Sequence, residues 1–144
     1  MELQNDPEMI AAFSEELQLI VNELTPVAES LRTNPNQPKL FEKFGQVIDR
    51  VYGTAATMGY KEIADYCRMM KSVTYKCSQS PNVYAQGQVR DLIMNAVQFM
   101  KKTQTIVQDP AQVKKIQYAM QKERERADEL QRKLFNTIKR TSVA

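Results

Sequence analysis

The sequence predicts an all-α protein, an antiparallel four-helix bundle with an additional long C-terminal helix. Apolar residues recur at spacings of three and four over most of the chain, and no stretch alternates as a half-buried strand does. Only 4 of the 144 residues are glycine, and short loops join the amphipathic segments, as is typical of bundles. We expect residues 1–109 to form the bundle and residues 110–144 to form an amphipathic, basic C-terminal helix.

The first helix is predicted to begin at Asn5 or Asp6, either of which can cap it, with Pro7 in its first turn. Pro26 has no backbone N–H, so we expect a kink or a break there. The sequence TNPNQP at residues 33–38 predicts the loop that follows. The apolar stripe of this helix comprises Met9, Ile10, Phe13, Leu17, Ile20, Val21, Leu24, Val27 and Leu31.

Three further helices are predicted, from about Lys39 to Met58, from about Lys61 to Cys77 and from about Val83 to Val107. Gly59 follows the first of these, where a helix end accommodates the left-handed conformation that glycine adopts. The side chains predicted to face the core are Phe44, Ile48, Val51, Ala55 and Met58, then Ile63, Tyr66, Cys67, Met70 and Thr74, then Val89, Leu92, Ile93, Ala96, Phe99, Met100 and Val107.

The last helix is predicted from about Pro110 to Arg140, with Asp109 as its cap. Its apolar stripe has heptad spacing, although Glu123 and Ala127 stand where large apolar side chains are expected. The stripe either packs on the bundle, which is the commoner arrangement, or mediates a homodimer or a coiled coil with a partner through residues 110–140. We expect it to strengthen such association more than it supports the bundle. The stripe comprises Val113, Ile116, Met120, Glu123, Ala127, Leu130, Leu134 and Ile138.

Positive charge is concentrated in this last segment. Residues 111–144 carry 9 basic and 4 acidic side chains, whereas residues 1–110 carry 11 basic and 13 acidic ones. A nucleic acid partner ranks behind the two arrangements above, because the sequence KERERADELQRK mixes both signs, as ion-paired solvated helices do. No apolar run is long enough to span a membrane, and we expect a cytoplasmic protein with no membrane span and no nucleic acid partner.

The second helix has a low-relief surface beside its core stripe. One residue step, about 100°, separates the core stripe from a second stripe in which Asp49 and Tyr52 rise between small residues. Glycine inside a helix costs up to about 1 kcal/mol against alanine, so the two glycines of this region need an explanation. We take the residues of this surface as the candidate docking face for a protein partner. It comprises Gly45, Gln46, Asp49, Arg50, Tyr52, Gly53, Ala56 and Thr57.

The sequence DRVYG at residues 49–53, followed by Gly59, resembles the signature of histidine-containing phosphotransfer (Hpt) domains. The pattern of that family is a histidine, two variable residues, a lysine and a glycine. Five variable residues and a second glycine follow. The resemblance covers roughly residues 7–107 and identifies residues 1–109 as an Hpt-like bundle. It implies that a receiver domain of a response regulator docks beside Gly53.

Both chemically active positions of that signature are changed, because Asp49 stands at the histidine and Tyr52 at the lysine. The chain has no histidine at all, and a carboxylate is a weaker nucleophile than imidazole. We therefore expect no phosphotransfer and no enzymatic activity. Without histidine and with only 2 cysteines, we also expect no metal site and no cofactor.

Three interpretations of function remain. The first in rank is a non-catalytic adaptor or decoy that binds a receiver domain, or another two-component signalling protein, without phosphotransfer. The second is that Asp49 is a solvated surface acid and the glycines are relics. The third is a helical-bundle scaffold that binds an unrelated protein partner on another face, or that associates with itself through its C-terminal helix.

Overall fold

A computed structural model describes residues 6–136, and this range contains five α-helices and no strand. The predicted all-α class is therefore confirmed. The helices are α1 (Pro7–Thr33), α2 (Pro38–Thr57), α3 (Lys61–Ser78), α4 (Val83–Ile106) and α5 (Pro110–Leu134).

Three helices begin at a side chain that accepts hydrogen bonds from the first turn. The carboxylate of Asp6 accepts from the backbone N–H of Met9 at 2.8 Å, and the side chains of Asn82 and Asp109 cap α4 and α5 in the same way. These contacts satisfy N–H groups that the helix itself leaves unpaired. The predicted starts at Asp6 and Asp109 are thereby confirmed.

The structure differs from the sequence-based prediction at Pro26 and at the end of α5. α1 continues through Pro26 as a single helix to Thr33, so the predicted break does not occur. α5 ends at Leu134, short of the predicted Arg140, because the backbone leaves the helical conformation at Phe135, whose side chain is buried in the core. The predicted continuation of the stripe at Ile138 lies outside the described residues.

Gly59 ends α2 in the way its position predicts. Its φ of 83° lies in the left-handed region, and the following N–H of Tyr60 returns to the carbonyl of Ala55 at 2.8 Å. A residue with a Cβ is strained in this conformation. The short turn then brings α3 back along α2.

One hydrophobic core joins all five helices. α2 packs against α3, α1 packs against both α2 and α4, and α5 packs against α3 and α4. α3 and α4 contact each other less than either contacts α5, so α5 lies in the groove between them. The side chains predicted to face the core from α2, α3 and α4 are buried, except that Phe99 is only partly so.

The stripe of α5 belongs to this core. Val113, Met120 and Ala127 are buried against the other helices, so the expectation that the stripe serves association more than the bundle is wrong for the described residues. The apolar contacts that a coiled coil of residues 110–136 needs are already made within the chain. Residues 137–140 of that predicted seam lie outside the described range.

Hydrogen bonds explain the polar middle of the stripe. The side-chain amide of Asn95 donates to a carboxylate oxygen of Glu123 at 2.7 Å, and the hydroxyl of Ser72 donates to the amide oxygen of Gln131 at 3.1 Å. A buried polar side chain without such partners costs stability. Glu123, at a heptad position, therefore binds α4, and Gln131, which flanks the stripe, binds α3.

Candidate docking face on the second helix

Gly45 lies at the contact between α2 and α3 rather than on an exposed surface. It is buried, and a Cβ added to it would collide with the hydroxyl oxygen of Thr74 and lie 3.0 Å from the Cα of Lys71. The first contact is a steric clash, and the second is tighter than an ordinary van der Waals contact. The prediction that Gly45 contributes to an exposed face is wrong, because glycine is required here for the close approach of two helices.

Asp49 is held by two cations of α3. The Nε of Arg68 donates to its Oδ1 at 3.3 Å, and the Nζ of Lys71 lies 3.3 Å from its Oδ2. Only 17% of its side chain is exposed. Asp49 is therefore neither a freely solvated acid nor a core residue, and both of its oxygens have a positive partner.

Tyr52 lies beside this cluster and is half-buried. The guanidinium carbon of Arg68 lies 3.8 Å from the centroid of its ring, which is the geometry of a cation–π contact. Arg68 thus contacts both Asp49 and Tyr52. Tyr52 itself is uncharged, but α3 supplies a positive charge beside it.

The opposite side of the candidate docking face is tied to α1. The guanidinium of Arg50 donates two hydrogen bonds to the carboxylate of Glu23, at 3.0 and 2.7 Å. The hydroxyl of Thr54 donates to Glu16 at 3.1 Å. The arginine pair is bidentate but exposed, so it orients Arg50 more than it stabilises the fold.

Gly53 lies between these two sides and faces solvent. It is exposed, and no atom lies within 4 Å of the position that a Cβ would take. Gln46, Ala56 and Thr57 are also exposed. These four residues, which we call the Gly53 strip, form the part of the candidate docking face that remains open, with Tyr52 and Arg50 at its borders.

The sequence-based selection therefore divides into three groups. Gly45 is structural, Asp49, Arg50 and Tyr52 contact charged side chains of neighbouring helices, and the Gly53 strip is accessible. Arg68 and Lys71 were missed, and they adjoin Asp49 directly. The sequence did contain a signal for them, because Arg68 and Lys71 are three residues apart on the helix that follows Gly59. The short turn at Gly59 returns α3 along α2, which brings such a pair close to Asp49.

The two cysteines of the chain lie in the core. Cys67 and Cys77 are free and buried. Burial raises the pKa of the Cys77 thiol to about 12 and raises that of Cys67 further. Both thiols are thus protonated and inert near neutral pH. Within residues 6–136, no three His, Cys, Asp or Glu side chains are grouped to hold a metal ion.

The helices of the described range also include none that combines the length and the apolar character of a membrane span. Comparison of the chain with protein-family models, with curated protein sequences and with solved structures gives no match. The resemblance to Hpt domains accordingly rests on the sequence pattern of residues 49–59.

Proposed function

We propose that this chain is a non-enzymatic, Hpt-like adaptor or decoy that binds a receiver domain of a response regulator, or another two-component signalling protein, without phosphotransfer. In this proposal α1 to α4 are the antiparallel four-helix bundle of an Hpt domain and α5 is an additional helix packed on it. The cytoplasmic location expected from the sequence is part of the same proposal.

The exposed glycine of α2 is the observation that carries the proposal. Glycine in a helix interior costs up to about 1 kcal/mol relative to alanine. Gly45 is explained by the approach of α3, whereas no neighbouring atom within 4 Å requires a glycine at position 53. A partner whose backbone approaches α2 closely gives a reason for this missing side chain.

The surroundings of Gly53 suit a receiver domain. Phosphorylation pockets of receivers are acidic, and the side chain of Arg68 is 46% exposed beside the Gly53 strip. A guanidinium at this place attracts an acidic pocket. The carboxylate of Asp49, held by Arg68 and Lys71, is a poor phosphoryl acceptor, which supports docking without transfer.

The test is a comparison of three substitutions that place side chains at open glycine positions. Gly53→Gln adds bulk to the docking face, Gly53→Ala adds a methyl group, and Gly87→Gln is the control. Gly87 also has no atom within 4 Å of an added Cβ, and it lies on α4, which packs against α1 and α5.

We expect Gly53→Gln to weaken binding to the cognate receiver at least tenfold in titration calorimetry, with an unfolding midpoint equal to or above that of the unaltered chain. Gly53→Ala should weaken binding less, and Gly87→Gln should leave it unchanged. The assay uses each receiver domain of the source organism. Unaltered affinity of the Gly53→Gln variant for every receiver that binds would make Gly53 a relic. No binding to any receiver would favour the scaffold with an unrelated partner.

A further inference from the structure

A second open surface lies between α4 and α5, away from α2. It is a groove of about 490 Å³, and Phe99, Ile116 and Ala119 contribute its apolar lining. Tyr66 of α3 packs edge-on against Phe99, with ring centroids 5.3 Å apart. This contact holds Phe99, one of the apolar side chains of the groove, against the core.

Lysines stand on both walls of this groove. Lys102 of α4 and Lys115 of α5 line it, and no acidic residue does. Their neighbours Lys101 and Lys114 are also exposed. Within residues 6–136 none of these four lysines has an ion pair.

Glu123 is the acidic residue of α5 nearest in sequence to Lys115, and its carboxylate already has partners within the chain. Glu123 accepts a hydrogen bond from Asn95 at 2.7 Å and is paired with Arg126 at 3.3 Å. The groove therefore presents an apolar floor between unpaired positive charges. Apolar contact alone would suit many partners, but these charges select an anionic one.

We propose that the α4–α5 groove binds an acidic amphipathic helix of a partner protein. The lining on α4 runs from Asn95 to Lys102 and that on α5 from Gln112 to Ala119, which is about 10 Å or two helical turns at about 1.5 Å per residue. An open trough of this length fits a helix with apolar anchors at i, i+3 or i+4, and i+7. Carboxylates flanking the anchors would then contact Lys102 and Lys115.

The test uses the full chain to select binders from a displayed library that tiles the proteins of the source organism in 20-residue segments. The bait is compared with a Lys102→Glu/Lys115→Glu variant, which reverses the charge of the walls, and with an Ala119→Leu variant, which fills the floor without changing charge. A Lys39→Glu/Lys43→Glu variant on α2 has the same net charge as the first and serves as its control.

We expect the enriched segments to be acidic amphipathic helices. Their binding should fall at least tenfold in the Lys102→Glu/Lys115→Glu and Ala119→Leu variants and should persist in the α2 control. Binding should also weaken as salt is raised. Enrichment of segments without net negative charge, enrichment that survives both groove variants, or no enrichment at all would overturn the proposal. Sedimentation measures whether the chain dimerises. A dimer that dissociates in the groove variants would also overturn the proposal, because a second copy of the chain would then be the occupant of the groove.

Discussion

The carboxylate of Asp49 balances two cations of α3, and its removal tests what those cations do. Asp49→Ala leaves Arg68 and Lys71 unpaired at the edge of the Gly53 strip. We expect a loss of about 1 kcal/mol in the free energy of unfolding, because pairs near the surface contribute little. Affinity for a receiver with an acidic pocket should hold or increase. Denaturant titration and calorimetry measure the two quantities, and a loss above about 3 kcal/mol would instead indicate a buried pair that the fold requires.

The two glycines of α2 should respond oppositely to the same substitution. Gly45→Ala forces a methyl group against Thr74 and Lys71, so we expect a net destabilisation of about 1–3 kcal/mol, typical of overpacking. Gly53→Ala should stabilise by up to about 1 kcal/mol through helix propensity. Chemical denaturation of both variants checks the prediction.

Adding Thr74→Ala to Gly45→Ala removes the hydroxyl oxygen nearest to the new methyl group and should recover part of the loss. Equal effects of alanine at positions 45 and 53 would contradict the close contact between α2 and α3.

The buried thiols should make the fold sensitive to alkaline pH. The pKa of Cys77 is raised to about 12 in the folded chain by burial, whereas an unfolded thiol titrates near pH 8.5. Below about pH 8.5 both states are protonated and stability is unaffected. As pH rises from there toward 12, only the unfolded state loses its proton, so the free energy of unfolding falls, by roughly 1 kcal/mol per thiol at pH 9.5.

Cys77→Ala is the control for this titration. It should lower stability at neutral pH but flatten the decline between pH 8.5 and 10, because one of the two thiols is then absent. A decline of the same slope in the variant would assign the pH dependence to other groups.

At the scale of the helices, α5 should be indispensable to the fold. Met120 is fully buried in the core, so Met120→Ala should cost about 2–5 kcal/mol. Tyr118→Ala on the same helix is the matched control, since Tyr118 is 63% exposed and its loss should change stability by about 0.5 kcal/mol or less. Urea denaturation followed by circular dichroism compares the two.

Truncation after Asp109 extends this prediction. It removes the whole helix that covers α3 and α4, and we expect the remainder to lose cooperative unfolding and to bind a hydrophobic dye. A truncated chain that unfolds as cooperatively as the intact one would show that α1 to α4 are self-sufficient.

Periodicity and capping residues predict the helices of this chain well, because both signals are local. Asp6 and Asp109 lie directly before the segments they cap, and Gly59 adopts the backbone conformation that its position implies. The end of α5 was not predictable in this way, since it depends on the burial of Phe135 against other helices. Helix α1 continues through Pro26 because the free energy gained by burying apolar residues on both sides of it exceeds the cost of the one backbone hydrogen bond that proline removes.

The candidate docking face was only partly predictable, for a related reason. The spacing of Gly45, Asp49 and Tyr52 shows that they share one side of α2, but not which helix lies against that side. The pairing with α3 brings Arg68 to Asp49 and Thr74 to Gly45, and this pairing is a property of the tertiary structure. The exposure of Gly53 was predictable, because this residue lies opposite the core stripe of α2 whichever helices flank it.

For the molecule as a whole, we expect no exchange of phosphoryl groups. Incubation with a phosphorylated receiver or with a cognate kinase and ATP should leave the chain unlabelled, because it has no histidine and both oxygens of Asp49 are paired with cations. Electrophoresis with radioactive phosphate measures the label, and an authentic Hpt domain is the positive control. An acyl phosphate that maps to Asp49 would contradict the prediction.

The position of α5 in the groove between α3 and α4 bears on how the chain is made. A ribosome synthesises α1 to α4 before the helix that covers two of them. The 25 residues of α5 take on the order of 1 to 5 seconds to synthesise at roughly 5–20 residues per second. We expect a nascent chain at this stage to expose the apolar surface of α3 and α4 that α5 buries in the folded chain, and therefore to bind chaperones more readily than the folded chain does.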